Sequence, residues 1–293
     1  MGASVPVRAI TVQAGDLEFG VLEAGTGPLA LCLHGFPDTA HTWAGLLPEL
    51  AAAGFRAVAP FMRGYAPTGI PADGSYQVGA LAADAIALHE VLGGGSDAVL
   101  IGHDWGAEAA YGAAAHAPDR WRRVVTLGVP PAAADFALFS DYDQLRRFFY
   151  LFMFRDPLGF AEGVVASDNM AFLDRLWQDW SPGFEAGEHL ARVKQSLAGP
   201  GRLAAAIGYY RAAGGTDPAG RYAAEQRAAS QQNPQPTLYM HGARDGCIGA
   251  DLARAAGPFL APGSRVTIVE DAGHFLHLER PAEVNARILD WIS

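Results

Sequence analysis

An aspartate stands at the centre of the most informative motif in the chain, Gly102-His103-Asp104-Trp105-Gly106. The motif follows an apolar run typical of a buried strand and precedes an alanine-rich stretch typical of a helix. Glycines on both sides relieve crowding in a sharp strand-to-helix turn, which presents the central side chain at the carboxyl end of a sheet. A helix-capping role alone would not require both glycines. A carboxylate placed there can displace a leaving group from a saturated carbon and form an alkyl ester, so the motif indicates chemistry on epoxides or alkyl halides.

Such an ester is hydrolysed only if water is activated, and two later residues could supply the base and its orienting acid. His274 follows the last strand-like run, and Asp245 follows the strand-like run before it. With Asp104 they keep the order nucleophile, acid, histidine. Because histidine titrates near ~6.5, we expect a neutral His274 to be the general base at pH 7. The weaker alternatives are His277 as the base and, as the acid, Asp135 or Asp271.

The segment His34-Gly35-Phe36-Pro37-Asp38 follows a buried-type strand and is predicted to form an oxyanion loop. Backbone N–H groups of Phe36 and Trp105 would stabilise the negative oxygen of a tetrahedral intermediate. By itself the Gly-Phe-Pro sequence fits an ordinary tight turn equally well. The prediction therefore depends on the neighbouring Asp104, and with it we expect Phe36, Pro37 and Trp105 to contact the substrate.

The leaving group decides which further residues are needed. An epoxide opens to an alkoxide that requires an acid, whereas a departing halide requires only N–H donors. Tyrosine hydroxyls, with a reference pKa of ~10, can polarise an epoxide oxygen and protonate the alkoxide. A tyrosine is more often a packing residue, so its presence alone does not choose between the two substrates. The segment 131–232 contains five candidates: Tyr142, Tyr150, Tyr209, Tyr210 and Tyr222.

Composition argues against several other classes of function. The chain has 31 acidic and 21 basic residues, a net charge of -10, and no Lys/Arg cluster, so nucleic acid is not an expected partner. Cys32 and Cys247 are too few for a disulfide framework or a zinc cluster, and no motif fits a nucleotide phosphate. No apolar run reaches the roughly 18 to 20 residues that span a bilayer, and Met1–Ala14 does not read as a signal peptide. We expect a cytoplasmic protein without cofactor, metal or membrane partner.

The elements that must position these residues follow an alternating pattern. Two β-type runs predict an antiparallel edge, and strand-like runs then alternate with helix-like stretches, among them Thr42–Ala53. The alternation stops in an aromatic-rich, mostly helix-like segment and resumes after Pro236, with a predicted helix over Asp251–Phe259. Strand followed by helix, repeated, predicts a mostly parallel central sheet flanked by helices. We predict one α/β core, residues 1–130 and 233–293, with an inserted helical cap, residues 131–232.

Together with Arg63-Gly64-Tyr65, these motifs resemble those of the α/β-hydrolase-fold epoxide hydrolases. The resemblance spans nearly the whole chain and implies the α/β-hydrolase fold. It also implies conversion of a small apolar epoxide and water into a vicinal diol, through a hydroxyalkyl ester on Asp104 that His274 and Asp245 help to hydrolyse. No cofactor is implied.

The same resemblance implies roles for two cap tyrosines that hold the epoxide oxygen. Tyr150, ahead of Phe154-Arg155-Asp156-Pro157, and Tyr210, before Arg211, match their positions. Tyr209 adjoins Tyr210 and is a possible substitute. Phe154 and Tyr209 are expected to contact the substrate, and other cap aromatics, among them Phe136, predict an apolar cavity.

Two alternative functions remain open. Haloalkane and haloacetate dehalogenases share the fold and the triad, and Trp105 also occurs in haloalkane dehalogenases as a halide-binding indole. Those enzymes usually carry asparagine or tryptophan after the first His-Gly, where Phe36 offers no side-chain N–H. A noncatalytic protein that binds a small ligand would be favoured by an incomplete triad, but the triad is complete here. Epoxide hydrolysis is therefore the favoured interpretation.

Overall fold

The computed structural model describes residues 5–134, 139–213 and 220–293, so Asp135 and Phe136 lie outside the described residues. Its centre is an eight-stranded sheet in the order β1-β2-β4-β3-β5-β6-β7-β8. The pairs β1–β2 and β2–β4 are antiparallel, and all other neighbours are parallel, as the sequence predicts. The strands are β1 Arg8–Ala14, β2 Leu17–Ala24, β3 Leu29–Leu33, β4 Arg56–Pro60, β5 Ala98–His103, β6 Trp121–Leu127, β7 Thr237–Gly242 and β8 Arg265–Val269.

Helices flank this sheet and cover its apolar strands. The central strands β3, β5 and β7 are buried along their whole length, as parallel strands covered on both faces must be. The described helices are α1 Leu46–Ala52, α2 Val78–Val91, α3 Trp105–His116, α4 Tyr142–Arg147, α5 Phe149–Phe154, α6 Phe160–Trp180, α7 Gly187–Leu197, α8 Arg202–Ala212, α9 Ala223–Ala229, α10 Ala250–Arg254, α11 Leu276–Glu279 and α12 Pro281–Ile292. Within the described ranges, no helix is long and apolar enough to cross a membrane.

Two helices that the sequence predicts as continuous are each divided into two shorter elements, so these predictions are wrong. The stretch predicted as Thr42–Ala53 forms a 3-10 turn over Ala40–Trp43 and then α1, separated at Gly45, a residue with poor helix propensity. The stretch predicted as Asp251–Phe259 forms α10 and a separate 3-10 turn over Gly257–Phe259. Pro258 cannot donate the backbone hydrogen bond that a continuous helix would need there.

The helices α4 to α9 occupy the chain between β6 and β7. No strand occurs among the described residues of this segment, in agreement with its helical pattern. Helix α6 is interrupted at Ser167–Met170, where Asp168, Asn169 and Met170 have positive φ angles. The boundaries of a separate cap domain, residues 131–232, stay a prediction.

The parallel order gathers four strand ends at one edge of the sheet. Leu33 of β3 lies beside Gly102 of β5, and Gly102 lies beside Thr126 of β6. Strand β7 follows next to β6. The loops that leave β3, β5 and β7 therefore meet above this edge. The loop after β3 carries the predicted oxyanion donor Phe36, and the other two carry Asp104 and Asp245.

Candidate active site

Asp104 occupies a tight turn between β5 and α3. Its φ of 53° is uncommon for a residue other than glycine. A Cβ atom on Gly102 would lie 2.1 Å from the Gly106 carbonyl oxygen, and one on Gly106 would lie 2.2 Å from the Leu33 carbonyl oxygen. Both glycines are therefore required by close backbone approach, as the motif predicts, and the Asp104 side chain projects from the turn into a cavity.

The loop after β3 meets the Asp104 carboxylate through its backbone. The Phe36 N–H donates to Asp104 Oδ1 over 2.7 Å. A Cβ atom on Gly35 would lie 2.2 Å from the same oxygen, so only glycine allows this approach. Trp105 is the first residue of α3, and among the described contacts its backbone N–H makes no hydrogen bond to the carboxylate. Its predicted role as a second oxyanion donor stays a prediction.

The structure brings His274 and Asp245 together behind Asp104. His274 Nε2 lies 3.6 Å from Asp104 Oδ2, and His274 Nδ1 lies 2.9 Å from Asp245 Oδ2. The other Asp245 oxygen, Oδ1, accepts hydrogen bonds from the Cys247 and Ile248 N–H groups over 2.7 and 2.9 Å. The three predicted residues thus form one continuous chain of contacts, and both oxygens of the distal acid are held.

The two carboxylates beside His274 favour its protonated form. Burial alone would lower the pKa of its imidazole, but the charge of Asp245 and the Asp104 carboxylate outweigh burial and raise the pKa to about 10. Burial would likewise raise the pKa of Asp245, yet the charge of His274 and its hydrogen bond hold the pKa below its usual value. In the free protein this direction favours an imidazolium between two carboxylates, whereas the sequence predicts a neutral His274 at pH 7.

Tyr150 and Tyr210 both line the cavity that contains Asp104. Their rings are 5.7 Å apart and nearly perpendicular. The Tyr150 hydroxyl lies 3.3 Å from Cys247 Sγ, whereas the Tyr210 hydroxyl is buried and has no hydrogen-bond partner within the described chain. Burial raises the pKa of both hydroxyls well above 10, so each stays protonated and able to donate.

Tyr209 and Tyr210 are adjacent but point to different surroundings. The Tyr209 hydroxyl donates to the Arg63 carbonyl oxygen over 2.8 Å, and Tyr209 is not among the residues that line the cavity. The Tyr210 ring packs at 5.0 Å from the Trp105 indole. The Trp105 Nε1–H is buried and approaches the Tyr210 hydroxyl without the geometry of a hydrogen bond. Of the two tyrosines, Tyr210 is the one that lines the cavity beside Asp104.

Several predicted substrate contacts lie behind the cavity wall. The Phe36 ring packs edge-on against Tyr210 and Phe154, at 5.2 and 5.4 Å, and the Pro37 carbonyl accepts a hydrogen bond from Trp177. None of Phe36, Pro37 and Phe154 lines the cavity. The Phe36 and Phe154 rings support the Tyr210 ring, and the predicted substrate contacts of Phe36, Pro37, Phe154 and Tyr209 stay predictions.

The cavity has a volume of about 290 Å³. Its wall is apolar over much of its surface, although polar side chains also contribute. Trp105, another predicted contact, belongs to this wall. The remaining apolar lining includes Val78, Val129, Ala132, Phe139, Phe148, Leu151 and Ile248, and the polar lining includes Glu108, Arg155, Gln226 and Ser230.

His277, the alternative base, makes its contacts away from Asp104, with Thr42 and Trp43. Its Nε2 lies 2.5 Å from Thr42 Oγ1, its ring stacks on Trp43, and burial lowers its pKa to about 3. With Asp38 and His103 it forms a buried group whose potential metal-ligand atoms lie within 4.8 Å of one another. Burial raises the Asp38 pKa to about 7, so this group carries little of the negative charge that attracts a cation.

A second group with metal-ligand geometry is Asp245, Cys247 and His274. Burial and the neighbouring Asp245 and Asp104 charges raise the Cys247 pKa well above its usual value, so the sulfur remains a thiol. Asp245 and His274 are already hydrogen-bonded to each other. These donors fit the charge relay better than a metal ion, for which a thiolate would be needed. The absence of a cofactor stays a prediction.

Three residues that position the relay were missed in the sequence. Cys247 contacts both Tyr150 and the Asp245 carboxylate, and the Trp180 carbonyl accepts hydrogen bonds from the His274 and Gly246 N–H groups. His241 Nε2 lies 3.3 Å from Asp245 Oδ2. A sequence signal existed only for Cys247, which stands two residues after the predicted acid.

Comparison with known proteins identifies the family of this chain. A sequence profile of the α/β hydrolase fold family matches residues 28–281. The chain is 30% identical to an epoxide hydrolase of Caballeronia sordidicola, over 98% of this chain and 94% of that protein. It is 27% identical to epoxide hydrolase A of Mycobacterium tuberculosis, over 96% of each. The crystal structure of epoxide hydrolase A from Mycobacterium thermoresistibile superimposes with a TM-score of 0.80 at 25% identity, over 98% of both chains.

The chain therefore belongs to the α/β-hydrolase fold family. Within that family, the relatives it resembles over nearly their whole length are named epoxide hydrolases. The fold and the family resemblance inferred from the sequence motifs are confirmed.

Proposed function

We propose that this protein is an epoxide hydrolase that uses Asp104 as a nucleophile and releases a vicinal diol. One observation carries the proposal. A carboxylate with one oxygen bound by the Phe36 N–H and the other facing His274 lines the same cavity as two tyrosine hydroxyls. This arrangement can donate to an epoxide oxygen from one side while a carbon of the ring is attacked from the other.

In the first step Asp104 Oδ2 attacks a ring carbon, and the carbon–oxygen electron pair moves onto the epoxide oxygen. Tyr150 and Tyr210 donate to that oxygen, and one of them gives it a proton. Esterification removes the negative charge of Asp104, which is one of the charges that raise the His274 pKa. His274 can then return a proton to the tyrosinate, and a neutral imidazole remains for the second step.

In the second step His274, oriented by Asp245, removes a proton from water that attacks the Asp104 carbonyl carbon. The negative oxygen forms at Oδ1, where the Phe36 N–H already donates over 2.7 Å. Collapse of the tetrahedral intermediate breaks the ester bond, and the departing oxygen takes the proton of the new carboxyl group. The diol leaves, and Asp104 and the protonated His274 are restored.

The cavity supports a compact, mainly apolar epoxide as the substrate. Its volume of about 290 Å³ and its aromatic and aliphatic wall suit such a molecule. We also propose that residues 131–232, which supply Tyr150 and Tyr210, form a cap over the core. Its boundaries and the cytoplasmic location stay predictions.

Dehalogenation is the second candidate, because the buried Trp105 Nε1–H has no hydrogen-bond partner among the described residues and could receive a halide. Phe36 offers no side-chain N–H as a second donor. Two tyrosine hydroxyls can both hydrogen-bond and protonate an alkoxide, whereas a departing halide needs no proton. The geometry therefore favours the epoxide.

A single turnover in H₂¹⁸O tests the covalent route. Ester hydrolysis should place one ¹⁸O atom in the peptide that contains Asp104, while the first diol released carries none. Label in that first diol, with none in the protein, would contradict the proposal, because water would then have attacked the epoxide directly.

A further inference from the structure

His241 is a second histidine on the relay acid and has no part in the mechanism above. It lies near the end of β7 and is completely buried. Its Nε2 lies 2.9 Å from the Ile248 carbonyl oxygen and 3.3 Å from Asp245 Oδ2, and its Nδ1 lies 2.8 Å from the Tyr239 hydroxyl. Every polar atom of the ring therefore has a partner.

These partners select one tautomer of His241. A carbonyl oxygen only accepts hydrogen bonds, so Nε2 must carry the proton that it donates to Ile248. Nδ1 of the neutral ring is then an acceptor, and the Tyr239 hydroxyl donates to it. Burial lowers the His241 pKa below its usual value, although Asp245 opposes the shift, so the ring is neutral at pH 7.

The His241 ring also lies beside the oxygen that serves His274, although its Nε2–H is donated to the Ile248 carbonyl. Asp245 Oδ2 lies 2.9 Å from His274 Nδ1 and 3.3 Å from His241 Nε2. The positive end of the Nε2–H dipole of His241 therefore lies beside an oxygen whose hydrogen bond is made with His274. A partial positive charge beside a carboxylate weakens the pull of the carboxylate on its first partner. His241 also holds the Ile248 carbonyl, and the Ile248 N–H donates to Asp245 Oδ1 over 2.9 Å.

We propose that His241, held by Tyr239, is a positioning residue that orients Asp245 and limits how strongly Asp245 attracts the His274 proton. The proposal rests on the proposed function, in which His274 must lose that proton before it activates water. The titratable or charged groups that face His241 are Tyr239, Asp245, His274 and Arg147. Arg147 donates to the Asp245 carbonyl oxygen over 2.6 Å, so it holds the same loop.

The two half-reactions separate this role from a purely structural one. In His241→Leu, formation of the ester, measured by rapid mixing with a small aryl epoxide, should stay within about twofold of wild type. Hydrolysis of the ester should slow about tenfold, because leucine removes both the hydrogen bond that holds the Ile248 carbonyl and the N–H dipole beside Asp245 Oδ2. Its pH midpoint should rise by about half a unit or more, because Asp245 then attracts the His274 proton more strongly.

Matched variants complete the test. His241→Gln keeps an N–H donor and should retain the wild-type pH midpoint, and Tyr239→Phe should shift it in the same direction as His241→Leu. Tyr239→Phe also decides the question if His241→Leu does not fold. His89, a buried histidine of α2 that is bonded to the Gly95 carbonyl, provides the control His89→Leu.

An unchanged pH midpoint in folded His241→Leu and Tyr239→Phe would overturn the inference. So would a parallel loss of both half-reactions that matches His89→Leu, because that result indicates general destabilisation. Failure of the proposed function is distinguishable, since the wild-type protein would then form no ester at all.

Discussion

Phenylalanine substitution of the adjacent residues Tyr209 and Tyr210 should have opposite effects. The Tyr209 hydroxyl donates to the Arg63 carbonyl oxygen over 2.8 Å inside the protein. Tyr209→Phe removes this bond and leaves a buried carbonyl without that donor, at a cost of about 1–2 kcal/mol in the free energy of unfolding. Because the hydroxyl lies outside the cavity lining, turnover should remain within about threefold of wild type.

Tyr210→Phe should leave stability unchanged or raise it by up to about 1 kcal/mol, because the lost hydroxyl is buried and has no partner in the described structure. Ring opening should slow by roughly 100-fold or more, the usual effect of losing a positioned proton donor. The packing of the ring against Phe36, Trp105 and Phe154 is preserved in this variant. Loss of activity would then be due to the hydroxyl.

The assay combines urea unfolding with the single-turnover rate of ester formation for both variants. We expect the stability loss in Tyr209→Phe and the rate loss in Tyr210→Phe. The reasoning is refuted if Tyr209→Phe stops ring opening while Tyr210→Phe does not, or if Tyr210→Phe is the less stable protein.

Three further predictions follow from contacts at the site. Gly35→Ala would place a Cβ atom 2.2 Å from Asp104 Oδ1 and displace the Phe36 N–H, so turnover should fall at least about 100-fold in a protein that circular dichroism shows to be folded; wild-type turnover would contradict the assigned loop geometry. Cys247 should resist iodoacetamide at pH 8 until urea unfolds the protein, because burial raises its pKa, and rapid labelling of native protein would argue otherwise. His274 binds its proton more tightly when folded, so that stabilisation is complete below its unfolded pKa of about 6.5 and is lost toward about 10. Stability in urea should fall between pH 7.5 and 9 by up to about 1.4 kcal/mol per pH unit, and His274→Gln should flatten this slope; a flat wild-type profile would reject the raised pKa.

The sequence predicted the fold because the relevant signals are local. The apolar run before Gly102, the glycines around Asp104 and the alanine-rich stretch after them each describe a few consecutive residues. The alternating pattern then fixed the parallel sheet, and the chain order of Asp104, Asp245 and His274 identified the residues that the sheet brings together. The helix breaks at Gly45 and Pro258 also have local causes. They were not predicted, because the apolar pattern continues through both positions.

Other features depend on distances that no motif records. Adjacent residues in a helix point about 100° apart, so sequence could not decide between Tyr209 and Tyr210 before the helix was oriented. The raised pKa of His274 results from two carboxylates that are distant in sequence. His241 contacts Asp245 only because β7 ends in a turn that brings them together. These features emerge from packing and not from spacing.

The most direct test of the central claim is the intact mass of His274→Ala after exposure, separately, to a small aryl epoxide and to a 1-haloalkane. This variant should form the ester and fail to hydrolyse it, so we predict a gain of the whole epoxide mass, mapped to Asp104. The double variant Asp104→Asn, His274→Ala is the control and should gain nothing. A stable alkyl adduct from the haloalkane alone, or no adduct from either reagent on a folded protein, would contradict the account.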